Sequence, residues 1–169
     1  MTAARLSPTT LATSPRANLL ALLDTRSKVA DPVDPSGVRK FVYSREPDVN
    51  KQGFAGFPYI ILPGTTFVPS KQTVDRKSAQ QDFTCEIEVV TCDRGRGDAD
   101  GQGQVQLDSI TNDVLHTLMD RTNRGTLSRS GIYFMASAAQ PPVVEPFKDT
   151  LVYRRSFAVS FRTRMPVST

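Results

Sequence analysis

The sequence predicts an α+β domain: a mainly antiparallel sheet with two helices packed on one face, preceded by an extended N-terminal arm. Three segments carry that expectation. Residues 82–92 alternate strictly, with Phe83, Cys85, Ile87, Val89 and Thr91 on one side and Asp82, Thr84, Glu86 and Glu88 on the other. That is the pattern of a half-buried antiparallel strand. Leu151–Thr163 sets Leu151, Tyr153, Phe157, Val159 and Phe161 against Val152, Arg154, Ser156, Ala158, Ser160 and Arg162, which gives one apolar and one cationic face. Between them Leu107, Ile110, Val114, Leu115, Leu118 and Met119 recur at helical spacing. Twelve prolines and ten glycines in 169 residues weigh against a helical bundle.

Residues 1–14 read as the arm, because Ser, Thr, Ala and Pro dominate them. A first helix is expected from Ser14 as N-cap, with Pro15 at the first helical position and Leu19, Leu20, Leu22 and Leu23 as its stripe. The run from Asp31 to Gly37 stops it. Val38–Arg45 reads as a strand closed by Pro47, and residues 48–56 as a polar loop. Phe57–Leu62, FPYIIL, is a short apolar strand with Pro58 suited to an edge or a first position. Residues 65–81 are polar and form a further strand or a long excursion. A glycine-punctuated loop spans 93–104. The helix that follows is expected over 104–122, with Gly125 as its C-terminal cap and Asp113, His116 and Asp120 on its outer side. Ile132–Ala136 reads as a strand and Gln140–Pro146 as a loop with three prolines. Residues 15–169 thus make one domain. Its expected core includes Ile87, Val89, Ile110, Val114, Leu118, Phe157, Val159 and Phe161.

Composition narrows function. Cys85 and Cys92 are the two cysteines. Seven residues of strand would hold them roughly 23 Å apart, beyond any disulfide, so they read as reduced thiols of a protein made in a cytoplasm. One histidine removes most hydrolase, metal and phosphotransfer constellations. The pentapeptide Leu19–Leu23 is far shorter than the roughly 20 residues of a membrane span, and no targeting segment is read. Arg96-Gly97-Asp98 is a chance-level match to an adhesion tripeptide. Gly101-Gln102-Gly103 lacks the third glycine of a dinucleotide fingerprint. Asp98 and Asp100 without further acids at calcium-loop spacing make a solvated turn. No Walker, HExxH or GxSxG sequence occurs. The expectation is a protein that is not an enzyme and takes no cofactor or metal.

Charge is unevenly placed. The net charge is +4, and residues 1–45 hold seven Lys/Arg against three Asp/Glu. Residues 150–169 hold Arg154, Arg155, Arg162 and Arg164 with no acid, while 82–120 holds nine acids against Arg94 and Arg96. Basic ends around an acidic middle suit either ordinary solvated faces or a molecule with two oppositely charged surfaces.

The order of these features resembles a family. An N-terminal helix precedes a strand ending near Arg45-Glu46-Pro47. FPYIIL, the strand DFTCEIEVVTC, a Gly/Asp loop, the helix LDSITNDVLHTL and the closing strand YRRSFAVSFRTR follow. Over about residues 15–165 this is similar to the tail terminator, or tail completion, proteins of long-tailed bacteriophages. The chain departs from compact members in its longer arm and its proline-rich segment at 140–146.

The resemblance implies a hexameric ring of this chain, assembled in the host cytoplasm and incorporated into the virion. There it caps the tail tube, ends tube polymerisation and meets the head–neck connector or stopper protein, with no membrane contact. DNA would be passing cargo only, which favours an acidic lumen. Asp93, Asp98, Asp100, Asp113 and Asp120 are the expected lumen residues. Arg154, Arg162 and Arg164 against Glu86 and Glu88 are the expected subunit interface. The alternatives are another neck or tail ring component (a head–tail stopper or a tube protein) and a nucleic-acid-binding accessory domain, the latter motivated by the pI of about 9.3.

Overall fold

The computed structural model describes residues 8–23, 29, 31–34, 36, 39–68, 73–75, 78–93, 102–129 and 132–166. In chain order the elements are α1 (Pro8–Leu23), β1 (Val42–Tyr43), β2 (Tyr59–Ile61), β3 (Thr65–Val68), β4 (Thr73–Asp75) and β5 (Ser78–Cys92). They continue with α2 (Gln102–Met119), α3 (Arg121–Arg129), β6 (Ile132–Ala139), β7 (Val143–Phe147) and β8 (Thr150–Pro166). This is the expected α+β class.

Two long strands organise the molecule. β5 and β8 pair antiparallel from Ser78↔Pro166 to Cys92↔Val152 without a break in register. β2, β3 and β4 pair with β5 on its other side, and β6 and β7 flank β8. β1 adds to β2 in parallel; the other pairings are antiparallel. The period of two sends Phe83, Cys85, Ile87 and Val89 of β5 and Phe157, Val159 and Phe161 of β8 to one face. α2 closes over that face with Leu107, Ile110, Val114 and Leu118, and α1 adds Leu19, Leu22 and Leu23. All eight residues expected in the core are buried. Each such side chain contributes about 1.5–3 kcal/mol by leaving water. Cys85 lies in this core and Cys92 at the end of β5, both as thiols.

Several boundaries differ from expectation for physical reasons. α1 begins at Pro8, not Ser14, so Pro8 takes the first helical position and residues 8–14 of the expected arm are helical. Residues 1–7 lie outside the described residues. The first strand shrinks from Val38–Arg45 to Val42–Tyr43. α2 ends at Met119, because Asp120 caps a third helix: the Asn123 amide donates to Asp120 Oδ1 at 3.0 Å. Gly125, expected as a cap, is therefore inside α3, and Met119 is exposed rather than buried. Residues 140–146 are not all loop, since β7 forms a hairpin with β8 in which Pro146 stands opposite Leu151. An outer strand tolerates proline, because only one of its edges bonds. At that end of β8 the alternation keeps its expected phase, but Leu151 is exposed and Val152 is buried, because the opposite face carries a cluster of its own.

Val152 belongs to a second, smaller cluster on the other face of the sheet. It packs there with Tyr59, Ile61 and Val90, and with Tyr43, Phe54, Phe57 and Phe147 at its rim. Arg39 fastens this covering segment. Its guanidinium binds Asp31 through Nε at 2.5 Å and Nη2 at 2.8 Å, and donates to the carbonyls of Ala55, Gly56, Phe57 and Pro58. Burial opposes the Asp31 charge, but the hydrogen bonds from Arg39 and Val33 outweigh it, so the carboxyl titrates below its ordinary value.

Candidate functional site

The side of the sheet away from α2 is where the described side chains of the expected interface set gather. Sequence reasoning expected it to be cationic along β8. The structure pairs the cations of Arg154 and Arg162 with carboxylates. Register places Asp82 across from Arg162 and Val90 across from Arg154, so acids of β5 surround the arginines of β8.

Arg162 grips Asp82 with Nε at 2.7 Å and Nη2 at 2.9 Å. This fork lowers the Asp82 pKa and raises that of Arg162. Arg154 serves three carboxylates. Its Nη1 donates to Glu88 Oε1 at 3.1 Å and to Glu46 Oε2 at 3.2 Å, and its Nη2 to Glu46 Oε1 at 3.0 Å. Its Nε lies 3.4 Å from Glu145 Oε2. Partial burial disfavours the Arg154 charge, yet the hydrogen bonds it donates to Glu46 and Glu88 hold the group more firmly protonated than usual. Tyr59 donates to Glu46 Oε1 at 3.0 Å. Burial first, and the Glu46 charge second, push its phenol pKa up.

Glu86 is exposed. It lines a shallow depression with Gly64, Thr84, Gln140, Ser156, Phe157 and Ala158. Among the described residues this face carries five carboxylates (Glu46, Asp82, Glu86, Glu88, Glu145) around the guanidiniums of Arg154 and Arg162, with Lys40 over the Tyr43 ring and Lys148 over the Phe147 ring at its rim. Of the expected interface set, Arg154 and Glu88 meet each other, Arg162 meets Asp82, and Glu86 stands between the two clusters. The Arg164 side chain lies outside the described residues.

Arg155 was passed over by alternation. It points to the helix side, where Nη1 meets Asp108 Oδ1 at 2.6 Å and ties β8 to α2. Its phase, shared with Tyr153 and Phe157, was the available signal.

The expected lumen acids separate. Asp93 anchors the start of α2. Its Oδ1 accepts the Gly103 amide at 2.8 Å, its Oδ2 accepts the Tyr153 hydroxyl at 2.9 Å, and Thr91 Oγ1 donates to the Gly103 carbonyl at 2.7 Å. A Cβ on Gly103 would sit 2.6 Å from the Tyr153 ring, so only glycine fits this approach. Asp113 and Asp120 are exposed on the outer side of α2 with His116. Asp98 and Asp100 lie outside the described residues.

Among the described residues no group of three His, Cys, Asp or Glu side chains could hold a metal ion, and no helix is long and apolar enough to cross a membrane. No protein-family model matches the chain. No curated protein matches it. A chain in a solved structure described as "Virion of native gene transfer agent (GTA) particle" is similar to this one, with 18% identity and a TM-score of 0.45, over 92% of this chain and 98% of that chain.

Proposed function

We propose that this chain is a structural virion protein that forms a six-copy ring on the end of a phage tail tube. In this reading the ring stops tube polymerisation and joins the tail to the head–neck connector or stopper. The observation that carries the reading is the neutralisation of β8 within the chain. The only two described arginines on its outer face are bonded to Asp82, Glu46 and Glu88. Arginines engaged in this way by carboxylates of their own chain are not free to take phosphates, and the mixed-charge surface suits contact with other protein surfaces. That favours an assembly role over a nucleic-acid-binding one. The order of elements over which the resemblance was drawn is also kept in the fold, from the N-terminal helix to the closing arginine-bearing strand.

Asp113 and Asp120, on the outer flank of α2, are the described acids we assign to the channel side, with Asp98 and Asp100 of the preceding loop. Glu86 is the residue of the expected interface set that we assign to contact with a neighbouring copy.

Electron microscopy of the purified chain, alone and mixed with tail tubes, tests the reading. Single rings and tubes capped at one end are expected. Self-stacking into tubes would instead make this a tube protein, and a monomer that never joins tubes would overturn the assembly role.

A further inference from the structure

Of the seven large hydrophobic side chains left exposed among the described residues, four fall in two groups on the helix side of the sheet, while Val33, Tyr133 and Val143 lie apart from them. Two, Val105 (71% exposed) and Met119 (61%), lie on α2. With Ser109, Asn112 and His116 they occupy every third or fourth position, all exposed, and so form one stripe along the helix. No Lys, Arg or Glu interrupts the stripe, whereas a helix face meant only for water is ordinarily charged. A second group lies on the β7–β8 hairpin. Val144 (48% exposed) stands across from Tyr153, and Leu151 (43%) across from Pro146, so both project on the side of the sheet that Tyr153 shares with α2.

We infer that the β7–β8 hairpin of one copy docks on the α2 stripe of a second copy. The proposal rests on the ring reading and specifies its joint. Two different apolar patches on one chain make a head-to-tail contact, and repeated head-to-tail contacts close into a ring when the rotation allows. The dimensions agree: Val105 to Met119 spans about 21 Å of helix, and the five residues of β7 span about 17 Å of strand. Charge agrees at the rim. Lys148 is exposed at the hairpin tip, and Asp113 and Asp120 are exposed along one flank of the stripe. In the docked pair Lys148 meets this flank, with the exposed Asp149 beside it at the tip. Two carboxylates against one ammonium leave that rim negative, as the channel side requires.

Two single variants of the full chain test this, Val144→Glu in the hairpin and Met119→Glu on the stripe. Both sites are exposed, and circular dichroism establishes that each variant is folded. By sedimentation velocity at micromolar concentration the unaltered chain is expected as a closed oligomer and each variant alone as a monomer. The two variants mixed are expected to give a 1:1 dimer and nothing larger, because each keeps one intact patch. Rings from both variants would overturn the joint while leaving the ring reading in place. Monomeric variants that fail to pair when mixed would also overturn it, since that is the behaviour of a self-complementary contact. A monomeric unaltered chain would overturn the joint together with the ring.

Discussion

Arg162 and Asp82 face each other across neighbouring strands, with both carboxylate oxygens held by one guanidinium at 2.7 and 2.9 Å. The residues are far apart in the chain, and their meeting depends wholly on the register of β5 against β8. Together with the Arg154 cluster it turns the cationic face of β8 into a surface of paired charges.

A direct consequence concerns DNA. Phosphate contacts by exposed arginines produce steep weakening of binding with salt. The described β8 arginines are engaged within the chain, so Arg154→Ala and Arg162→Ala are expected to leave the salt slope of duplex binding unchanged. Fluorescence anisotropy against ionic strength reads this, and a slope shallower by about one per arginine removed would contradict it.

The core makes a sharper test. Phe161 is buried and stacks on Phe83, with ring centroids 5.3 Å apart and planes within 17°. Phe161→Ala should cost about 3–5 kcal/mol in urea unfolding, through lost burial and the cavity left behind.

Gly103→Ala probes the start of α2. The added methyl meets the Tyr153 ring and lies 2.9 Å from Asp93 Oδ1, so either the ring or the capping carboxylate must move. A loss of about 1–3 kcal/mol is expected in the same assay. Tyr153→Leu in the same background should recover part of it.

Acid should unfold the protein partly through two carboxylates. Asp31, held by Arg39, and Asp82, held by Arg162, both titrate below the ordinary value of 3.8 in the folded chain. The unfolded chain therefore binds protons more readily, and stability from these groups is complete above their ordinary values. It is lost as the pH falls from about 5 through the lowered folded values. Urea unfolding at a series of pH values should show that decline, and Asp31→Asn should flatten its Asp31 part. Because the Asp31 and Arg39 side chains are almost wholly buried, Asp31→Ala at neutral pH should cost about 3–5 kcal/mol.

Periodicity disclosed what periodicity governs. β5, β8 and α2 repeat their apolar residues over many positions, so their buried faces were readable. β7 was hidden because Pro141, Pro142 and Pro146 mark a loop unless the strand is known to be an outer one, which is a tertiary fact. α3, RTNRGTLSR, carries one buried apolar residue, Leu127. Its place depends on the Asp120 cap and on Asn123, whose side chain donates to the Thr117 carbonyl at 2.8 Å. The candidate site was the least legible part. The cationic reading of β8 was correct for the strand taken alone and failed for the sheet, because the neutralising acids arrive from β5 and from the loop carrying Glu46.

The long β5–β8 ladder also has a consequence for the timing of folding. Every pairing of β5 with β8 waits for residues from Val152 onward, which follow Cys92, the end of β5, by 60 positions. Until then the apolar side of β5 has neither its neighbouring strand nor a finished sheet beneath α2. The nascent chain must hold that aggregation-prone edge uncovered while residues 93–151 are made. Closure of the sheet then comes as one late, nonlocal step, and premature association between unfinished copies is the hazard that this order of synthesis imposes.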